Sequence, residues 1–322
     1  MYTSLVLDMN KNLVTYPEFN ISILAGTRSP SAIAQYTHYF NQYLTYAGSF
    51  ANALDPVTLL HWRSHLVNIP YVTKRGPRHY SVNAINVRLS SIRSVMQEAA
   101  DQGYIPHALA YAFTTVEGIK PQAMLERCNP YARVPLNPEQ MRAICDAPDT
   151  NTLAGTMHRA FLSTLAGSGL RVSEAVTLTE TQIEWGVDRQ QRAGFVVMVS
   201  GRKATKAEPR PLSLEAYIRI QRWLKVRPVA SPFIFTGFSG RGDRGPLNTS
   251  IRPVSAWEMV RRYARQVGIE HVKPHDFRRF VGAQLAEQDI RLAQKALGHK
   301  SIQTTQLYVA DELARGITDN LY

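Results

Sequence analysis

The C-terminal part of this 322-residue chain carries histidine, arginine and tyrosine side chains at spacings that could cut a phosphodiester bond. One further motif, which contains an arginine, lies earlier in the sequence. The four motifs are Gly167-Ser168-Gly169-Leu170-Arg171-Val172-Ser173-Glu174, His275-Asp276-Phe277-Arg278, Leu297-Gly298-His299 and Thr304-Thr305-Gln306-Leu307-Tyr308. Together they supply cations to hold a phosphate and a hydroxyl that could attack phosphorus.

Arg171 and Arg278 are suited to holding the phosphate oxygens. A planar guanidinium is permanently charged and offers paired donors where negative charge builds up in a phosphoryl-transfer transition state. His275 lies three residues before Arg278, so on a helix the two side chains share a face and could reach the same phosphate. The preceding Lys273-Pro274 favours a helix start, because proline is tolerated in the first turn.

The order of these motifs resembles the catalytic signature of the tyrosine recombinases, the family of the Xer, Cre and phage-integrase proteins. The resemblance implies that Tyr308 is the nucleophile and forms a covalent phosphotyrosine, which conserves the bond energy for rejoining without ATP. It also implies that His299 hydrogen-bonds the scissile phosphate and that Gly298 lets its loop approach closely. No metal, nucleotide or other cofactor is implied.

The departing 5′ oxygen has a very high pKa and needs a general acid, for which the family uses a lysine on a β-hairpin between the two arginines. The matching stretch runs from 196 to 212 and contains two lysines. Counting back from Pro211-Leu212, as in the chromosome-dimer-resolving branch, favours Lys206, whereas the spacing of some phage integrases favours Lys203. We expect Lys206 to be the acid and the other lysine to contact backbone phosphate.

Two neighbours of the arginines also carry expectations. Glu174 lies three residues after Arg171, one helical turn on, and is expected to fix the guanidinium or a neighbouring histidine. After Arg278 the family usually has histidine, and this chain has Arg279. That departure concerns local packing or an extra phosphate contact rather than catalysis.

The charge balance points to a polyanionic partner. The net charge is +12 and the pI about 9.8, which suits nucleic acid or an anionic membrane face. Residues 200–265 are the most unbalanced part and favour a phosphate-lined channel. No apolar run suggests a membrane helix and no leader is evident, so we expect a soluble, cytoplasmic protein without a membrane partner. Cys128 and Cys145 lack the spacing of a metal site.

Helical periodicity predicts three N-terminal helices: from Ser29-Pro30 to about Ala47, from Asp55-Pro56 to about Leu66, and from Ser81 to about Ala100. Between the last two lies a basic, turn-rich loop. We expect contacts with DNA from residues in and after this loop and beside the lysine hairpin, with no base contact assigned to any of them. These candidates are Lys74, Arg75, Arg78, Arg88, Arg202 and Arg210.

The predicted fold is mainly α with a small β-sheet or hairpin. By resemblance, it is a two-domain, C-shaped DNA clamp: a helical, SAM-like core-binding domain and a mixed α/β catalytic domain of the tyrosine recombinase fold. The expected segments are an N-terminal extension (1–28), the core-binding domain (29–117), a linker (118–136), the catalytic domain (137–308) and a tail helix that docks on a neighbouring protomer (309–322).

The resemblance further implies double-stranded DNA recombination sites as partners, a homotetramer on two such sites and, in some systems, accessory DNA-bending proteins. The reaction would pass through a Holliday junction and integrate, excise or resolve a mobile element or replicon. Two other classes stay open: a type IB topoisomerase and a catalytically silent architectural DNA-binding protein. The long helical module and the apolar tail argue against the first, and the complete catalytic set argues against the second.

Overall fold

A computed structural model describes residues 3–7, 13–73, 76–127, 133–187, 193–200, 207–239 and 246–309; for residues 3–7, 13–15, 304 and 307–309 only the backbone is described. The chain divides into two compact units, Met1–Pro130 and Tyr131–Tyr322. Among the described residues, no helix combines the length and apolar character needed to cross a membrane.

The N-terminal unit is a small helical bundle with two short hairpins. Its helices are α1 (Pro30–Ala47), α2 (Phe50–Ala53), α3 (Pro56–Asn68), α4 (Val82–Asp101) and α5 (His107–Thr114), with 3-10 helices at Ile21–Leu24 and Pro121–Arg127. The antiparallel hairpins pair β1 (Thr3–Leu7) with β2 (Leu13–Pro17) and β3 (Tyr71–Thr73) with β4 (Gly76–Arg78). The side chains of Ser29, Asp55 and Ser81 cap the three predicted helices, which are confirmed.

Helix α4 is the centre of this unit. The apolar stripe that predicted it, including Ile85, Leu89 and Ile92, is fully buried. Phe19 and Leu24 lie in the same core. The packed unit therefore begins before residue 29, where the lack of periodicity had suggested only an extension; a 3-10 helix leaves no 3.6-residue pattern in the sequence.

The C-terminal unit is also mainly helical and contains a three-stranded antiparallel sheet. Its helices are α6 (Pro138–Asp146), α7 (Leu153–Ser168), α8 (Val172–Ala175), α9 (Leu214–Val226), α10 (Pro253–Gln266), α11 (Pro274–Gln288), α12 (Ile290–Leu297) and α13 (Ile302–Val309). A 3-10 helix spans Glu180–Gln182. The sheet has the order β5 (Ile183–Val187), β6 (Ala193–Ser200), β7 (Ala207–Leu212), and a separate hairpin pairs β8 (Thr236–Phe238) with β9 (Pro246–Ser250).

The predicted hairpin is present. Strands β6 and β7 pair from Phe195 opposite Leu212 to Ser200 opposite Ala207, so the segment 201–206 connects them. Lys203 and Lys206 belong to that segment, which lies outside the described residues.

Helix α7 positions the rest of the unit. Its apolar residues Met157, Phe161 and Leu165 are fully buried, and it packs against α9 and α11. Helices α12 and α13 pack against α11 in turn. The C-terminal end of α7, the start of α11 and the end of α12 therefore carry their motifs toward one region.

Candidate active site

A left-handed turn after α7 presents Arg171. Gly169 ends the helix with φ +64°, and a Cβ there would lie 2.8 Å from Leu297 Cδ2. A side chain would be strained by the positive φ and would also clash, so the turn requires glycine. The turn leads directly to Arg171, the N-cap of α8.

Glu174 holds Arg171 at two points. The backbone N–H of Arg171 donates to Glu174 Oε2 at 2.7 Å, and Nη1 of its guanidinium donates to Oε1 at 2.8 Å. The Arg171 side chain keeps 34% of its surface exposed. Glu174 thus orients a guanidinium that a phosphate can still reach.

Arg278 is buried, with 1% of its surface exposed. Its Nη1 donates to the carbonyl oxygen of Gly169 at 2.7 Å, and its Nη2 donates to the carbonyl oxygen of Leu297 at 2.5 Å. One side chain on α11 therefore connects the turn before Arg171 to the turn before His299.

His275 is the second residue of α11, and its side chain is partly covered by the site while a good part of its surface stays exposed. One residue on, the buried Asp276 accepts from the Lys273 backbone N–H at 2.9 Å and from Arg279 Nη1 at 3.2 Å. The unusual residue Arg279 thus forms an ion pair on its own helix, and its charge also acts on His275.

His299 follows Gly298, which ends α12 in a left-handed conformation with φ +64°. Its Nδ1 lies 2.9 Å from the hydroxyl of Thr305, a fully buried residue on α13. Gln294 fixes the backbone of His299 on both sides, accepting from its N–H and donating to its carbonyl. The sequence placed Thr305 in a motif but gave it no role; its only signal was a hydroxyl six residues after the histidine.

Both histidines are held neutral. Partial burial and then the charges of Arg279, Arg278 and Arg171 lower the pKa of His275 to about 4. Burial and then the charges of Arg278 and Arg171 lower the pKa of His299 to about 4. The same two arginines act on both imidazoles, so these four groups converge on a positively charged region that suits an anion.

The nucleophile candidate Tyr308 lies on α13, the helix that also carries Thr305. Its side chain is outside the described residues, as are Arg202 and both candidate lysines, Lys203 and Lys206. Their roles therefore stay predictions.

Arg210 was expected to contact DNA, and the structure shows that most of its side chain is enclosed by neighbouring residues. Its side chain is 8% exposed, pairs with Glu208 at 2.6 Å and donates to the carbonyl oxygen of Lys295 at 3.1 Å. Arg219 and Arg227 are similarly enclosed in internal ion pairs. Part of the basic excess over 200–265 is thus engaged in ion pairs within the domain.

In the N-terminal unit, Arg78 is exposed at the end of β4. Arg88, by contrast, is buried: its guanidinium lies 4.6 Å from the ring centroid of Tyr39 and 4.2 Å from that of Tyr80. It also donates to Gln42 Oε1. Arg88 therefore holds the loop before α4 against α1 through cation–π contacts, and this burial leaves little of its surface for the DNA contact that the sequence predicted. Lys74 and Arg75 fall outside the described residues.

No cluster of three or more histidine, cysteine, aspartate or glutamate side chains that could hold a metal ion occurs within the described part of the chain.

The architecture is that of the tyrosine recombinase fold. It is similar to the crystal structure of a lambda integrase (75–356) dimer bound to a COC′ core site, with a TM-score of 0.61 and 15% identity, covering 92% of this chain and 94% of that one. At this identity the likeness concerns the fold. The phage integrase family matches residues 135–315, and the chain belongs to that family.

Relatives within the family are named tyrosine recombinases. The chain is 25% identical over 303 residues to the tyrosine recombinase XerA of Pyrococcus horikoshii, covering 94% of this chain and 88% of that protein. It is 31% identical over 184 residues to the tyrosine recombinase XerD of Neisseria meningitidis serogroup B, covering 56% of this chain and 60% of that protein.

Proposed function

We propose that this protein is a site-specific DNA recombinase that cuts and rejoins DNA strands through a covalent 3′-phosphotyrosyl bond to Tyr308. The observation that carries the proposal is the bridge made by Arg278, which joins the turn of Arg171 to the turn of His299. It assembles on one scaffold the cations that a phosphate requires, beside the helix that bears the tyrosine.

The scissile phosphate would lie against the exposed guanidinium of Arg171. The charge of Arg278 adds to the field there, because a buried cation is weakly screened. His299 supplies a neutral donor: when the Thr305 hydroxyl donates to Nδ1, the imidazole carries its proton on Nε2 and can donate to a non-bridging oxygen. These groups stabilise the negative charge that grows on phosphorus during attack.

The chemical step needs no external energy. The phenolic oxygen of Tyr308 bonds to phosphorus and gives its proton to solvent, while the bond from phosphorus to the 5′ oxygen breaks. That oxygen takes a proton from Lys206, with Lys203 as the alternative. Attack by the 5′ hydroxyl of another strand reverses these bond changes and frees the tyrosine.

Four copies on two duplex sites would exchange strands sequentially through a Holliday junction, with accessory DNA-bending proteins in some settings. The two expected domains, 29–117 and 137–308, would both contact the duplex in this arrangement. The tail 309–322, whose stripe is Leu313, Ile317 and Leu321, would link neighbouring protomers. The XerA and XerD relatives, both recombinases by name, support this class over a topoisomerase or a silent binder.

The test is covalent-adduct formation on nicked duplex DNA carrying the flanking sequences of the element that encodes the protein, in chelator. Wild type should form an adduct, and Tyr308→Phe should bind equally well and form none. An adduct with Tyr308→Phe would assign another nucleophile, and tight binding without any wild-type adduct would favour an architectural protein. Relaxation of a plasmid lacking the site would point to a topoisomerase.

A further inference from the structure

Arg210 occupies the space where any side chain at position 298 would have to lie. A Cβ built on Gly298 would be 1.9 Å from Arg210 Nη2 and 2.3 Å from its Cζ. The guanidinium of Arg210, on β7, therefore lies directly against the main chain of the turn that precedes His299. The positive φ of Gly298 strains any other residue there, and the bare glycine lets the Arg210 guanidinium approach the main chain this closely.

Two further contacts fix the guanidinium in place. Its Nη1 donates to the carbonyl oxygen of Lys295 in the last turn of α12, and its Nη2 pairs with Glu208 on its own strand. Arg210 thus contacts the main chain between Lys295 and Gly298, the segment that leads directly to His299.

Burying an arginine at this position is unfavourable for the stability of the fold. Arg210 is 7% exposed, and its Nε is buried without a hydrogen-bond partner among the described residues. A buried donor left unpaired destabilises the fold, and an apolar side chain at this position would avoid that cost. Leu212, two residues on, has the same inward direction and is apolar.

We infer that Arg210 is a positioning residue for His299: it locks the end of α12 onto β7 so that the imidazole stays at the phosphate. The inference rests on the proposed recombinase function. It replaces the expected DNA contact of Arg210 with an internal one. Strand β7 directly follows, in the sequence, the segment that contains the two candidate lysines.

The test is a double-mutant cycle on the rate of adduct formation, measured in single turnover with saturating protein. Arg210→Met keeps the length of the side chain without its charge or donors. It should leave the affinity for DNA unchanged and slow adduct formation about tenfold to a hundredfold, because a small misplacement of a catalytic group costs that much. In a His299→Ala background, Arg210→Met should cause no further loss, since its effect passes through the imidazole.

Arg219→Met is the matched control. Arg219 is a largely buried, ion-paired arginine on α9, engaged with Asp146 and Glu215. Its replacement should lower the melting temperature but leave the adduct rate of the folded protein near that of wild type. Should Arg210→Met fail to fold, Arg210→Lys takes its place in the same cycle.

Each outcome is decisive. Equal losses from Arg210→Met with and without His299 would mean that Arg210 acts independently of the histidine and would overturn the inference. A wild-type rate in Arg210→Met would overturn it too. Absence of an adduct with wild type would instead contradict the proposed recombinase function.

Discussion

The guanidinium of Arg278 donates to the carbonyl oxygen of Gly169 at 2.7 Å, joining positions 109 residues apart in the sequence. Its second donor reaches the carbonyl oxygen of Leu297. Arg278 is therefore both a charge in the site and the brace that sets the distance between Arg171 and His299. Chemistry and stability should depend on it together.

Replacing Arg278 by lysine should abolish adduct formation and destabilise the protein. Lysine carries its donors on a single nitrogen, which cannot take the two positions from which Nη1 and Nη2 reach the carbonyl oxygens, and each buried polar group left unpaired costs about 1–3 kcal/mol. The matched variant is Arg171→Lys. That side chain is partly exposed, so it should lose the adduct while the free energy of unfolding changes by less than about 1 kcal/mol. Urea denaturation of both variants measures the difference, and equal stabilities would refute the bracing role.

Thr305→Val should slow adduct formation roughly tenfold or more. The substitution keeps the volume of a buried side chain but removes the hydroxyl that contacts His299 Nδ1, and a lost buried hydrogen bond is worth about 1–3 kcal/mol. The imidazole would then be free to place its proton on either nitrogen. Thr305→Ser retains the hydroxyl and should stay close to wild type. Equal rates for the valine and serine variants would show that the hydroxyl does not orient the histidine.

The sequence predicted helices wherever a cap and an apolar stripe coincide, as at Ser81 with Ile85 and Leu89. It also placed Arg171 and His299 in recognisable turns. The roles of Arg88 and Arg210 could not be predicted this way, because a basic residue counts as surface charge until its neighbours are known. For Arg88 those neighbours are two tyrosine rings, one of them on α1, and for Arg210 the neighbour is a bare glycine on α12. Only tertiary packing brings such groups together.

The hairpin lysines can be distinguished by the leaving group. Lys206→Ala should slow cleavage of ordinary DNA by about a hundredfold or more if Lys206 is the general acid, and Lys203→Ala should slow it far less. In a substrate with sulfur in place of the bridging 5′ oxygen, the leaving group is a 5′ thiolate. The pKa of its conjugate acid is about 8.5, as in cysteine, so it departs without being protonated. With the sulfur substrate, the rate of cleavage should return towards that of wild type only in the variant that lacks the general acid.

The sulfur substrate also separates the acid from residues that hold the phosphate. His299→Ala should be slow with both substrates, since its loss affects the non-bridging oxygens. Rescue of Lys203→Ala in place of Lys206→Ala would move the acid to Lys203. Rescue of neither would place the acid elsewhere.

Acid should destabilise the C-terminal unit partly through His158. Burial and then the charge of Arg262 lower its pKa to about 4. Its Nδ1 accepts from Arg262 Nη2 at 3.0 Å and lies 2.9 Å from the Tyr263 hydroxyl, and the ring of Phe238 on β8 is its other neighbour. The folded protein therefore keeps this imidazole neutral, while the unfolded chain binds a proton near pH 6.5.

Between pH 6.5 and about 4 the unfolded state binds more protons at His158 than the folded state does. The contribution of neutral His158 to the free energy of unfolding is therefore complete above about pH 6.5 and is lost as the pH falls towards 4. His158→Gln removes the titrating group and keeps a polar side chain. The free energy of unfolding is measured in urea at pH 7.5, 6.5, 5.5 and 4.5, which roughly covers the window between the two pKa values. As the pH falls, it should decrease less steeply in the variant than in wild type. His275 and His299 titrate in both proteins, so the difference between the curves isolates His158. Parallel curves would mean that His158 becomes protonated in the folded protein, and the proposed neutral contact with Arg262 would have to be abandoned.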